Sequence, residues 1–170
     1  MGYNNYQIEF INDVFELLKN NHLQKMLENI TRMSPYSQNI NNFVFDIKEI
    51  ELYKELQLVE SFVTRPVLLS EKIDINFIGP TGQTNLERML TGSPPFDHLT
   101  NSSYMLHHIG QKYESPFAEL SYQFHFSDHY SDLHKSHKPS WRNDENLNNL
   151  TKKEFREHWI KRGRYYAEQS

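Results

Sequence analysis

The chain has 170 residues, 20.4 kDa and a formal net charge of −4, which suits one domain with a small helical appendage. Apolar residues make up only 37%, yet 14% are aromatic, so a few large rings can fill a core, while a mean hydropathy of −0.76 with no apolar run of about eighteen residues excludes a membrane-spanning helix. The absence of cysteine excludes a disulfide scaffold, thiolate zinc sites, iron–sulfur clusters and thiol catalysis, and leaves His and carboxylate as the metal ligands on offer.

The start, Met1-Gly2-Tyr3-Asn4-Asn5, lacks the basic and apolar blocks of a signal peptide. Ile8, Ile11, Val14, Leu18, Met26, Leu27 and Ile30 recur at three- and four-residue spacing and predict a helix over about 6–31, whole or broken near Asn20-Asn21. A second amphipathic stretch runs from Asp46 to Val63, through Ile47, Ile50, Tyr53, Leu56 and Val59, and Pro66 terminates it. Val67-Leu68-Leu69 reads as a short strand. Ile73, Ile75 and Phe77 alternate with polar residues and predict another, stopped by Gly79-Pro80.

Thr84-Asn85-Leu86-Glu87 has the form of a capping box opening a short helix to Leu90, closed by Gly92. Strands are predicted at 103–109 and 116–121, joined by a turn, with irregular structure over 122–137 leading into a helix. Thr151-Lys152-Lys153-Glu154 forms a second capping-box pattern, opening a helix with Phe155, Trp159 and Tyr166 on one side. Residues 135–170 hold nine basic and five acidic side chains on an otherwise acidic chain. That gradient points to an anionic partner such as nucleic acid, although a solvated helix face reads the same way. A division near 66–72 gives a helical, acidic N-terminal region (1–70) and a mixed C-terminal part (71–170).

Six of the nine histidines lie between 107 and 137. The surface is the ordinary place for His22, His98 and His158. Adjacent strand residues face opposite ways, so His107 and His108 at a strand end can divide their labour, one ligating a metal and the other facing a water beside it. His125 and His134 follow after gaps that a hairpin-plus-helix unit spans, and His137, three residues on, is an alternative to His125; His129 is the weakest member. A neutral imidazole can take a proton from water, and a divalent ion can polarise a scissile phosphate. A structural metal site, or none, fits the spacing as well.

Gly79-Pro80-Thr81-Gly82-Gln83-Thr84-Asn85-Leu86-Glu87-Arg88-Met89, Gly92-Ser93-Pro94-Pro95, Leu106-His107-His108-Ile109-Gly110-Gln111 and Ser115-Pro116-Phe117-Ala118-Glu119-Leu120 occur in that order. Together they resemble the LHH family of nucleases in the HNH/endonuclease VII superfamily, over about residues 72–142 with a weaker echo to 166. Phe124 departs from the acidic residue that members often carry before the next His. The resemblance implies an α+β fold, a ββα-metal finger embedded in a mainly helical domain. His107 and His134 would be metal ligands, with His125 a ligand or a brace. His108 would be the general base, and Glu119 would orient a ligating imidazole. The ion would be zinc, nickel, magnesium or manganese, with no small-molecule cofactor.

Members of this family are mostly toxin domains of bacterial polymorphic systems. The resemblance therefore implies a metal-dependent, sequence-nonspecific DNA endonuclease made in a bacterial cytoplasm, delivered into a target cell and neutralised by an immunity protein. An RNase with the same finger, or a zinc-stabilised binding module without activity, are the rival readings. Arg88, Arg142, Lys152 and Arg156 are the candidate nucleic-acid contacts: Arg88 as a bidentate phosphate donor, Arg142 beside the stacking ring of Trp141, and the helical pair along a backbone. Asn85 reads better as a packing residue.

Overall fold

The computed structural model describes residues 5–135 and 140–169, with 5–15 described through their backbone. Helix α1 (Asn5–Met33) is unbroken at Asn20-Asn21 and is followed by α2 (Gln38–Asn41) and α3 (Ile47–Glu55). Two short strands, β1 (Val59–Phe62) and β2 (Pro66–Leu69), precede α4 (Asn85–Leu90). The strand β3 (Tyr104–His108) turns through a 3₁₀ segment (Ile109–Gln111) into β4 (Phe117–Ser121). A π-helical turn (Gln123–Asp128), α5 (Tyr130–Leu133), a second 3₁₀ turn (Trp141–Asn143) and the long α6 (Glu145–Ala167) complete the chain.

The four strands form one sheet in the order β1-β2-β4-β3. β1 is antiparallel to β2, β2 parallel to β4, and β3 antiparallel to β4 with His107 opposite Ala118 and His108 opposite Phe117. Side chains alternate across a strand, and here the alternation divides the core in two. Leu68, Ala118 and Leu120 pack with Ile30, Ile40, Ile50, Tyr53 and Leu133 from the helices of one layer. Val67, Leu106 and Phe117 pack with Met89 and Trp159 from α4 and α6 on the other. The sheet is thus a middle layer between the N-terminal helices with α5 on one side and the pair α4 and α6 on the other. The position 66–72, where the sequence suggests a division, falls at β2, which pairs with β4.

Three sequence expectations are corrected. The amphipathic stretch from 46 to 63 is a helix only to Glu55. Gln57 then takes a left-handed φ of 58°, turning the chain so that Val59–Phe62 forms a strand against β2. Residues 73–77 form no strand: Asp74 accepts from the Asn76 backbone at 3.0 Å, and its carbonyl accepts from the side-chain amide of Asn85 at 2.8 Å. Local side-chain bonds of this kind compete with a ladder. The last helix starts at Glu145 rather than at Thr151, because Asp144 caps the amides of Asn146 and Leu147. Thr151 sits inside the helix and donates its hydroxyl back to the Leu147 carbonyl at 2.9 Å.

The capping box at Thr84 and Glu87 is formed and opens α4. Helix α6 crosses α4 closely at Gly163, where a Cβ would lie 2.9 Å from the Leu90 nitrogen. Gly110 has φ +71°, and a Cβ there would fall 2.0 Å from the Phe43 carbonyl oxygen. This residue lets the turn after His108 close against the N-terminal layer.

Candidate active site

β3 is an edge strand, and its last two residues turn His107 and His108 to opposite faces while both line one cavity of about 950 Å³. His107 faces the N-terminal layer. There it meets His125 from the π-helical turn, with His107 Nδ1 2.9 Å from His125 Nε2. His134, just past α5, closes the group: its ring centroid lies 5.4 Å from His107 and 4.7 Å from His125. One nitrogen from each of the three lies within 4.8 Å of the others.

The donor chemistry fits a cation. His134 Nδ1 donates to the Tyr130 carbonyl at 2.9 Å, which leaves the Nε2 lone pair free to ligate. Burial, and then the neighbouring His107 and His134, push His125 down to about 2, so it stays neutral. Burial lowers His134 as well. Ligand nitrogens on a tetrahedral ion at 2.0–2.1 Å stand about 3.3 Å apart, so His107 and His125 need to separate by only a few tenths of an ångström. His129 is not in the group; it lies 3.4 Å from Asp132 and packs tilted against Phe124. His137 lies outside the described residues.

His108 is 4% exposed, and among the described residues neither ring nitrogen has a hydrogen-bond partner. Its ring packs on Phe117 at 4.8 Å, Trp141 at 4.7 Å and Phe155 at 5.6 Å. Burial first, then Arg142, Arg65 and His107, holds its pKa at about 2, so the imidazole is neutral, with both ring nitrogens buried.

The carboxylate facing the cluster comes from α3. Glu49, 2% exposed, has Oε1 3.9 Å from His107 Nε2; it accepts from the Tyr53 hydroxyl at 2.6 Å and the Phe45 amide at 3.0 Å. The expectation that Glu119 orients a ligating imidazole gives way to a different arrangement. Glu119 lies on the α6 face of β4, fully buried, and accepts from His158 Nε2 at 2.7 Å, Arg162 Nε at 3.0 Å and the Ser70 amide at 2.9 Å. Burial alone would raise this carboxyl; the His158 bond and the Arg162 charge carry it below its ordinary value. His158 is correspondingly buried rather than on the surface.

The candidate nucleic-acid contacts separate. Arg142 lines the cavity with its guanidinium 4.9 Å from the Trp141 ring centre. Lys112, which the sequence reading passed over, lines it too. Lys152 and Arg156 are exposed on α6 but do not line the cavity. Arg88 is turned inward, donating to the Pro94 carbonyl at 2.9 Å and Thr81 at 3.1 Å over the Phe96 ring. Asn85 is fully buried and bonds the Phe96 backbone through both ends of its amide.

Residues 84–165 match the family model described as a nuclease of the HNH/ENDO VII superfamily with conserved LHH. This segment belongs to the LHH family. No curated protein and no solved structure matches it. The LHH segment runs from the cap of α4 into the last turn of α6 and carries all three clustered histidines and His108. Its β3–β4 hairpin, followed by the π-helical turn and α5, is consistent with an HNH-like fold, and membership makes the substrate nucleic acid. No described helix is long and apolar enough to cross a membrane. Glu49 and Arg65 lie outside the LHH segment. Arg65 braces it nonetheless, pairing with Glu154 and donating to the carbonyls of Tyr113 at 2.5 Å and Ser115 at 2.9 Å.

Proposed function

We propose that this nuclease is a metal-dependent, sequence-nonspecific DNA endonuclease that serves as an antibacterial toxin, held in check by an immunity protein. The observation that carries the catalytic part is the pairing of three converging imidazoles with a neighbouring, unpartnered imidazole on the same cavity. His107, His125 and His134 hold the ion, and an all-imidazole set suits zinc or nickel better than magnesium, which favours oxygen ligands. Such an ion supplies charge neutralisation at the scissile phosphate and the departing oxygen.

His108 takes the proton from the attacking water at whichever ring nitrogen faces the cavity. Burial is the first cause of its depressed basicity and the Arg142 charge the next. A phosphate paired with Arg142 offsets that charge and so removes that part of the depression as substrate arrives. Trp141 and Phe155 pack over its ring and fix its orientation. Contacts from Arg142 and Lys112 to phosphate position the strand without reading its sequence. The toxin role rests on the family, whose members are mostly such domains.

The test incubates purified protein with supercoiled plasmid and, separately, total RNA, under zinc, nickel, magnesium, manganese or chelator, beside His108→Ala. Plasmid cutting that requires both metal and His108 is expected. Degraded RNA with intact plasmid, native or heat-denatured, would make the enzyme an RNase, and no cutting of either by metal-loaded protein would make the cluster structural. Expression in a bacterial cytoplasm should arrest growth, and His108→Ala should not.

A further inference from the structure

Tyr122, Phe126 and Tyr130 are 52%, 39% and 51% exposed. They recur every four residues across the π-helical turn and α5, and so form a ridge on the outer side of the segment whose inner side carries His125. Neighbouring rings are in register: Tyr122 and Phe126 have centroids 4.9 Å apart, Phe126 and Tyr130 5.8 Å apart with planes within 20°, and Tyr130 stacks on His134 at 4.2 Å. Phe126 and Tyr130 also line the cavity, so the ridge begins at the clustered imidazoles and runs outward.

The charge of this ridge decides what it can bind. Residues 122–134 contain Asp128 and Asp132 and no lysine or arginine, so a phosphate backbone laid along them would be repelled. A duplex presents its backbone outward and keeps its base faces in the stack. An unpaired strand presents uncharged π-faces, which stack on aromatic rings whatever their sequence. The cations that phosphates need, Lys112 and Arg142, line the cavity rather than the ridge.

Resting on the nuclease reading above, we infer that Tyr122, Phe126 and Tyr130 form a base-stacking platform that feeds an unpaired strand into the cavity, making single-stranded nucleic acid the preferred substrate. The test measures binding without cleavage, by fluorescence anisotropy in chelator, using a labelled 12-nucleotide DNA strand, its RNA counterpart and a hairpin duplex of the same sequence. Both single strands should bind more tightly than the duplex. Tyr122 touches none of the clustered histidines, so Tyr122→Leu should weaken both strands by roughly 5- to 150-fold, as expected for losing one stacked base, with duplex binding unchanged. Tyr122→Trp should restore the affinity.

Equal binding of duplex and strands, an unaltered strand affinity in Tyr122→Leu with an unaltered melt, or a loss confined to one sugar type would each overturn the platform. A ridge that serves a protein partner instead would give the second of these results. If plasmid and RNA both survive intact but the strand preference and the Tyr122 effect hold, the nuclease reading fails and the platform stands. If cleavage needs His108 while Tyr122→Leu changes nothing, the platform alone fails.

Discussion

Replacing Glu119 by Gln separates a stabilising carboxylate from a catalytic one. The side chain is fully buried and accepts from His158, Arg162 and the Ser70 amide, while Arg162 is itself 5% exposed and also donates to the Ser70 carbonyl at 3.1 Å. Gln keeps the volume but removes the charge, and it turns an NH₂ toward groups that are all donors. Breaking a buried ion pair from one side costs about 3–5 kcal/mol. For a chain of this size each kcal/mol moves the melting temperature by about 2–4 °C, so a fall of about 6–20 °C is expected in a circular-dichroism melt at pH 7.

The pH dependence has a definite sign. The folded carboxyl is held below its ordinary 4.5, so its contribution is complete above that value and disappears as pH falls through the lower folded one. The difference between wild type and Glu119→Gln should therefore be full at neutral pH and shrink in acid. Metal binding, measured well below the melt, should be unchanged. A variant that melts like wild type at pH 7 but no longer binds metal would refute the assignment and return Glu119 to the histidine cluster.

His108→Ala should abolish cleavage with metal affinity preserved in a calorimetric titration, whereas His134→Ala should lose both; normal cutting by His108→Ala would refute its role as base. Glu49→Gln keeps an oxygen acceptor for the Tyr53 hydroxyl but withdraws the negative charge facing His107, and should weaken divalent-metal binding by about 10–100-fold. An unchanged Kd would reduce Glu49 to a partner of Tyr53 and Phe45. Gly110→Ala forces a left-handed φ on a side chain, costing about 1–3 kcal/mol before its clash with the Phe43 carbonyl, so the protein should melt far lower or fail to fold, as scored by soluble yield and melt.

Much of the LHH segment was legible because its signals are local. The Thr84–Glu87 box, the two strands of the hairpin and the histidine spacing are each set by neighbours along the chain, and the structure forms the box and the hairpin close to the predicted residues. What escaped is what depends on contacts distant in sequence. The helix read through Val63 continues its apolar spacing past Gln57, but pairing with β2 outweighs that periodicity. The Thr151 box has the right letters, yet Asp144 caps first and the helix absorbs it.

Glu49 and His158 were missed for a shared reason. Each is a polar residue on an apolar helix stripe, Glu49 four residues before Tyr53 and His158 three after Phe155. That position is itself the signal of a buried, partnered side chain. Glu119 was assigned to the cluster by motif order, but the alternation of β4 places it beside Phe117, on the face away from Ala118.

The shared sheet sets a condition on when this enzyme can cut. β2 supplies the strand next to β4, and α3 supplies the carboxylate facing His107, so a chain trimmed to residues 84–165 keeps every clustered histidine while exposing Leu68's partners Ala118 and Leu120 to water. Ligand geometry then depends on the docking of residues more than fifty positions upstream. Such long-range closure is slow relative to hairpin formation. During refolding, the imidazoles should therefore come together late, and catalytic competence should lag behind secondary structure.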